Sequence, residues 1–381
     1  MLIGVPAETM VGETRVAVTP ETAKKLVAQG HVVRVQSGAG VPASATDAAY
    51  TAVGAEVTDA AGALGADLVL KVRAPSDAEL AQMKAGATLV GMLNPFDADG
   101  LQKLAGAGLT AFALEAAPRT TRAQSMDVLS SQANIAGYKA VMLAANHYQR
   151  FFPMLMTAAG TVKAARVVIL GVGVAGLQAI ATAKRLGAVI EASDVRPSVK
   201  EQVESLGAKF IDVPYETAEE KEAAEGVGGY ARPMPPSWLE RQKVEVAKRV
   251  AQADVVISTA LIPGRAAPVL VTEDMVKSMK PGSVIVDLAA GKGATNPDGS
   301  VGGNCPLTVA DQTVTRHGVV IVGETNLPAM VAADASALYA RNVLDFLKLV
   351  LPKDATAVQV PMDDDIVVAC LMAQGGEVKR K

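Results

Sequence analysis

The chain has 381 residues, half of them apolar but only 3% aromatic, with a net charge of −3, two cysteines and three histidines. Such a length suits two domains, and a core drawn from Val, Ile, Leu, Ala and Met suits parallel α/β layers. No basic patch interleaved with aromatics, no Cys-x-x-Cys pair and too few histidines for a zinc site occur, which argues against nucleic-acid binding, a disulfide framework and a metal centre.

A strand-like run, Leu2–Val5, begins almost at the first residue. It leaves no room for a signal peptide, so a cytosolic location is expected. To about residue 124, strand-like runs (Leu2–Val5, Val32–Val35, Leu68–Val72, Leu89–Leu93, Thr110–Leu114) alternate with helical ones (Pro20–Ala28, Asp47–Val53, Ala78–Lys84, Leu101–Ala105). Gly30, Gly54, Gly86 and Gly108 punctuate the helix ends. This alternation predicts a parallel sheet. The region has no glycine fingerprint, so a dinucleotide site is not expected there.

Residues 119–150 carry a long helical pattern, with Met126, Leu129, Ala133, Ala136, Tyr138 and Val141 apolar, as expected of a helix linking domains. Its start is unusually polar: Arg119, Arg122, Gln124, Ser125, Asp127 and Ser130 crowd together. Taken alone, that cluster reads as a solvated helix start with Thr and Ser as caps.

Residues 166–196, RVVILGVGVAGLQAIATAKRLGAVIEASDVR, organise the second domain. A buried-strand pattern, Val167–Leu170, leads into Gly171, Gly173 and Gly176, spaced G-x-G-x-x-G. A helical pattern follows, starting with Val174 and Ala175 and closing at Gly187, and a second strand pattern ends at Asp194. The first glycine permits a tight turn, the second lets backbone approach a pyrophosphate, and the third lets helix and strand pack closely. The helix N-terminus supplies free N–H groups for phosphate. Asp194 stands where a carboxylate can accept hydrogen bonds from a ribose 2′-hydroxyl and would repel a 2′-phosphate, which favours NAD(H). Arg196 stands against that preference, since an arginine there can accommodate a 2′-phosphate.

Six strands are expected here, Val167–Leu170, Val189–Ala192, Lys209–Asp212, Val255–Thr259, Val284–Leu288 and Val319–Gly323, in the doubly wound order 3-2-1-4-5-6. A long interruption, Pro214–Ser237, contains GVGGYARPMPPS and reads as a functional or mobile loop. A second long helix, Ala333–Val350, is expected to return the chain to the first domain, and the tail from Ala355 shows no recognisable chemistry. The expected architecture is α/β: two Rossmann-like parallel-sheet domains joined by two long helices with a cleft between them. One domain comprises residues 1–124 plus 327–381, and the NAD(H)-binding domain residues 125–326.

A dehydrogenase acting on an alcohol or amine needs an acid–base group. His31 precedes a strand, His147 lies late in a helix and His317 lies in a turn. All three read as surface or packing histidines.

Several passages together resemble a known family. They are PAETMVGETRVAVTPETAKKL (6–26), RAQSMDVLSSQANIAGYKAV (122–141), MTAAGTVKAARVVILGVGVAGLQAIATAKRLGA (156–188), DVRPSVKEQVESLGAKF (194–210), ISTALIPGRAAPVLVTEDMV (257–276) and GGNCPL (302–307). The chain is similar to the NAD(H)-binding subunits of proton-translocating NAD(P) transhydrogenases, with alanine dehydrogenase as the related family. The resemblance implies a hydride-transfer site at Arg119, Gln124, Asp127 and Ser130, which reverses the bland reading of that cluster. Gln124 would reach toward the partner's nicotinamide, and the other three would orient the nicotinamide of NAD(H). Tyr230 would lie on a loop that closes over the nucleotide. The cofactor-binding set expected is completed by Val195 and Arg196 beside Asp194, by Thr259, Ala260 and Leu261 after the fourth strand, and by Asn326.

The implied partners are a second copy of the chain, an NADP(H)-binding subunit and a membrane-spanning subunit. The chain itself would sit on the cytosolic face of the inner membrane without entering it. The alternative is a stand-alone amino-acid dehydrogenase. Arg15 and Lys71 match two residues that alanine dehydrogenases place around pyruvate, but the histidine position falls on Asn94 and the aspartate near Gly291. Residues 291–301, GKGATNPDGSV, look like an insertion ahead of GGNCPL.

Overall fold

A computed structural model of the chain describes residues 1–196, 199–225, 234–353 and 355–380. The chain opens with β1 (Leu2–Val5), α1 (Pro20–Ala28), β2 (Val32–Gln36), α2 (Asp47–Thr51), β3 (Glu56–Thr58), α3 (Ala60–Leu64), β4 (Leu68–Arg73), α4 (Asp77–Leu80), β5 (Thr88–Met92), α5 (Ala98–Gly106) and β6 (Thr110–Ala113). The long helix α6 (Val128–His147) and a hairpin, β7 (Leu155–Thr157) and β8 (Gly160–Val162), come next. Then follow β9 (Arg166–Leu170), α7 (Val174–Arg185), β10 (Val189–Ser193), α8 (Lys200–Ser205), β11 (Lys209–Phe210), α9 (Ala218–Glu225), α10 (Pro236–Val250), β12 (Val255–Ser258), α11 (Glu273–Ser278), β13 (Val284–Asp287), β14 (Thr313–Arg316) and β15 (Val319–Val322). The chain closes with α12 (Ala332–Val350), α13 (Asp365–Cys370), β16 (Leu371–Gln374) and β17 (Glu377–Val378).

These elements form two compact units, Met1–Gln132 with Pro328–Lys381, and Ala133–Leu327. Helix α6 starts in the first and ends in the second, whereas α12 lies wholly in the first.

In the first unit an eight-stranded sheet runs β17-β16-β6-β5-β4-β1-β2-β3. Strands β1 to β6 are parallel, as the alternation predicts, but β16 and β17 add an antiparallel edge. The tail therefore completes the sheet. The short polar strand β3 and helix α3 escape the periodicity reading because three to five residues are too few to show a period. Helix α1 starts as its sequence predicts, with Pro20 in the first turn behind a Thr19–Thr22 capping box, and Gly30 follows it at φ +85°. Helix α12 buries Tyr339, Val343, Phe346, Leu347 and Val350, and its Phe346 ring lies 5.3 Å from Phe112 of β6.

The second unit holds a seven-stranded sheet, β11-β10-β9-β12-β13-β15-β14. Its six parallel strands have the predicted 3-2-1-4-5-6 order, and β14 adds an antiparallel edge that the sequence reading lacks. Alternate residues of each strand feed opposite cores. Val167, Ile169, Val255 and Ile257 pack with α6 and α7, while Val168, Leu170, Val256 and Ile285 pack with α10 and α11. Burial on both faces explains the unbroken apolar runs. The interruption at 214–237 is not all loop, since α9 lies within it and α10 begins at Pro236. Tyr230 and most of GVGGYARPMPPS lie outside the described residues. Among the described residues, no helix is long and apolar enough to cross a membrane.

Candidate functional site

The strand order reverses between β9 and β12, so a crevice opens at their carboxyl ends. Gly171 leaves β9 at φ +91°, a left-handed conformation that a side chain would strain. A Cβ on Gly176 would lie 2.0 Å from the Gly171 carbonyl oxygen, so only glycine lets α7 start this close to β9. A Cβ on Gly173 would have no atom of the described residues within 4 Å beyond its own chain neighbours. Gly171 and Gly176 are thus required by the fold, whereas the bareness of Gly173 leaves open space in front of the first turn of α7, formed by Val174 and Ala175. Across the crevice, Thr259 donates its hydroxyl to the Gly171 carbonyl at 2.8 Å and its N–H to that of Leu170 at 2.8 Å. This ties the loop Thr259–Ala260–Leu261 to the glycine turn.

Asp194 follows β10 directly. One carboxylate oxygen accepts the Val172 N–H at 2.7 Å, and Arg196 donates to both oxygens through its backbone N–H, Nε and Nη2. Arg196 Nη2 also reaches the Val172 carbonyl at 3.0 Å. The guanidinium that clouds the cofactor preference on sequence is therefore engaged with Asp194, and together they brace the glycine turn. Val195 packs under Trp238 and Val213, while Asn326 follows β15.

In the first unit, Thr121–Met126 forms a 3-10 turn whose Ala123 and Met126 are buried beneath α12, so its polar residues face outward. Arg119 and Gln124 are exposed, and the Gln124 amide has no partner among the described residues. The cap of α6 is Asp127, rather than Thr or Ser: it accepts the Ser130 N–H at 2.9 Å and the Ser130 hydroxyl at 2.5 Å. Arg122 is held by Asp364 and Asp365 of the tail, and Asn342 of α12 donates to the Ser125 carbonyl. The Arg122 guanidinium holds the Asp364 carboxyl at about 2. The tail, featureless on sequence, thus fastens this turn.

Arg15 and Lys71 are both buried. Arg15 pairs with Glu13 and donates to Gln132 at 2.7 Å, and Lys71 lies 2.7 Å from Glu79 and 3.3 Å from Glu8. Burial outweighs the Lys71 charge and raises the Glu8 carboxyl. Glu79 behaves oppositely: burial alone would raise it, but hydrogen bonds from Lys71 and the Ser76 N–H hold it below its ordinary value. Asn94, at φ +54°, uses its N–H on Glu115, whose carboxyl burial also raises. Gly291 sits at φ +70° in the second unit. Neither position offers a group that titrates. Among the described residues, no cluster of His, Cys, Asp and Glu could hold a metal ion.

Models of the N- and C-terminal domains of alanine dehydrogenase/PNT match residues 4–136 and 140–381. The chain belongs to the alanine dehydrogenase/PNT family. Within this family it is 50% identical to the first portion of NAD(P) transhydrogenase subunit alpha of Rhodospirillum rubrum, over 99% of this chain and 97% of that protein. The crystal structure of transhydrogenase from Sinorhizobium meliloti superposes with a TM-score of 0.87 at 46% identity, covering 99% of this chain and all of that one. Alanine dehydrogenase of Bacillus subtilis is 32% identical over 87% of this chain and 80% of that protein. Similarity is thus much stronger on the transhydrogenase side of the family.

Proposed function

We propose that this chain is the NAD(H)-binding subunit of a proton-translocating NAD(P) transhydrogenase, passing hydride from NADH to NADP⁺ held on a partner subunit. The observation that carries the reading is the crevice at the β9–β12 junction, with Asp194 at its rim and no titratable group at Asn94 or Gly291. Bound NADH would supply the hydride itself; the residues of this chain bind, orient and exclude.

The open space before Gly173 and the N–H groups of Val174 and Ala175 suit the pyrophosphate. Asp194 receives the ribose hydroxyls, and Arg196, held by Asp194, neutralises part of its charge without being free to seek a 2′-phosphate. Thr259, Ala260, Leu261, Val195 and Asn326 line the rest of the nucleotide site, and Tyr230 closes over it. Arg119, Asp127 and Ser130 orient the nicotinamide, and Gln124 faces the partner's nucleotide. Direct transfer between two nicotinamides needs proximity and no proton acceptor, which fits an amide at position 94 and a glycine at 291.

The partners are an NADP(H)-binding subunit, a membrane-spanning subunit and a second copy of this chain, with the assembly on the cytosolic face of the inner membrane. A two-stranded hairpin standing alone is marginal, and Met156 of β7 and Met154 just before it are exposed, which supports burial of this hairpin against another copy.

The amino-acid dehydrogenase reading keeps Arg15 and Lys71 in its favour, but both cations are neutralised inside the chain by Glu13, Glu79 and Glu8. Titration of the purified chain with NADH and NADPH, followed by NAD⁺ with L-alanine, tests the proposal. The expected outcome is preference for NADH and no alanine-dependent NADH formation. Alanine turnover would overturn it.

A further inference from the structure

The passage GGNCPL belongs to no region of the site described so far, yet its asparagine reaches the nucleotide crevice. Asn304 is fully buried, and its carboxamide grips the peptide at Ala260 from both sides. Oδ1 accepts the Ala260 N–H at 3.1 Å, and Nδ2 donates to the Ala260 carbonyl at 2.9 Å. Nδ2 also donates to the Pro268 carbonyl at 2.8 Å. The Asn304 carbonyl accepts the N–H groups of Leu270 and Val271, at 2.8 and 3.0 Å. One residue thus pins both ends of the loop 260–271, whose first residues flank the glycine turn.

Asn304 is itself held. Asp287, fully buried at the end of β13, accepts the N–H of Asn304 at 3.2 Å. It also accepts from the N–H groups of Cys305 and Ala289 and the hydroxyls of Thr308 and Ser258. Five donors converge on this carboxylate, which makes no ion pair among the described residues, and they hold the GGNCPL turn in one geometry. Gly303 makes room, since a Cβ there would lie 2.3 Å from Asp287 Oδ2.

The geometry points to Asn304 as a positioning residue for nucleotide binding, with Asp287 as its anchor. Its carboxamide fixes the Ala260 peptide, so that the loop Thr259–Leu261 meets the nucleotide already ordered. The inference rests on the nucleotide-binding reading above. An unclamped loop would have to be ordered at the moment of binding, and affinity would fall accordingly. Asn304→Asp keeps the size but loses both donors and sets a carboxylate against two carbonyl oxygens, and Asn304→Ser removes the grip more gently.

Three measurements on the full chain test this: NADH titration of the variants, their melting temperatures, and amide exchange at Ala260 in the unaltered chain without nucleotide. We expect both variants to bind NADH roughly tenfold more weakly or worse. A packing variant at a buried position of the same unit, Val250→Ala, is expected to lower the melting temperature yet keep NADH affinity. The Ala260 amide is expected to exchange slowly before NADH is added. Absence of NADH binding by the unaltered chain would overturn the nucleotide reading and this one with it. If the unaltered chain binds NADH, three outcomes overturn the clamp alone. They are affinity within twofold in both Asn304 variants, an equal affinity loss in Val250→Ala, and fast Ala260 exchange that slows only with NADH.

Discussion

At the carboxyl ends of β9 and β12, the backbone of the glycine turn and of the loop after β12 is fixed by what lies against it: Gly171, Gly176, Thr259 and the Asn304 carboxamide. In the turn at 119–130, the outward groups are side chains, and the fastenings come from the buried Ala123 and Met126 and from Arg122 and Asn342. Shape and chemistry are therefore inseparable in the first region and separable in the second. A substitution in the crevice should damage fold and binding together, whereas one at Gln124 should leave both intact.

The largest effect is expected for Gly176→Val. Its side chain would press on the Gly171 carbonyl, so we expect a loss of about 1–3 kcal/mol in stability together with loss of NADH binding, read by melting and titration. Asp194→Ala comes next. It removes an acceptor for the ribose and frees both Val172 N–H and Arg196, so NADH binding should weaken by roughly 1–3 kcal/mol. The preference over NADPH should narrow in the same titration, and unchanged NADH affinity would remove Asp194 from the site.

Gln124→Asn should sharpen the contrast. It shortens an exposed side chain whose amide makes no hydrogen bond among the described residues, so NADH affinity and melting temperature should hold. Hydride transfer with partner subunits should fall roughly 10- to 100-fold. Normal turnover would place Gln124 away from the reacting centre.

The smallest effect is expected at Asp364. Its folded value of about 2 lies below the ordinary 3.8, so it contributes stability that is present above pH 3.8 and is lost as pH falls toward 2. The pair with half-exposed Arg122 is screened by solvent, so its contribution is small. Asp364→Asn should flatten the melting-temperature profile between pH 3.8 and 2, without changing NADH affinity.

The two regions also differ in how far the sequence reveals them. The crevice is legible because its glycine spacing answers to local geometry: a positive φ at Gly171 and no room at Gly176. The parallel sheet is legible because its strands are apolar on both faces, and the doubly wound order because the glycine turn follows the first of six such strands. The 119–130 turn is not legible in that way, because what gives Gln124 its setting comes from residues 342, 364 and 365, more than two hundred positions along the chain. The Asn304 clamp is hidden for the same reason: an asparagine amid glycines reads as a turn until Ala260 is seen against it. The antiparallel edges β14, β16 and β17 are short, and their pairing depends on which strand is left at the sheet margin.

The central claim is that hydride moves directly between two nicotinamides with no proton acceptor from this chain. It is tested by combining the chain with its NADP(H)-binding and membrane partners and supplying NADH deuterated at the transferring C4 position together with NADP⁺. The account predicts that the deuterium is recovered in NADPH with none lost to solvent. Deuterium exchanged into water during turnover would contradict it.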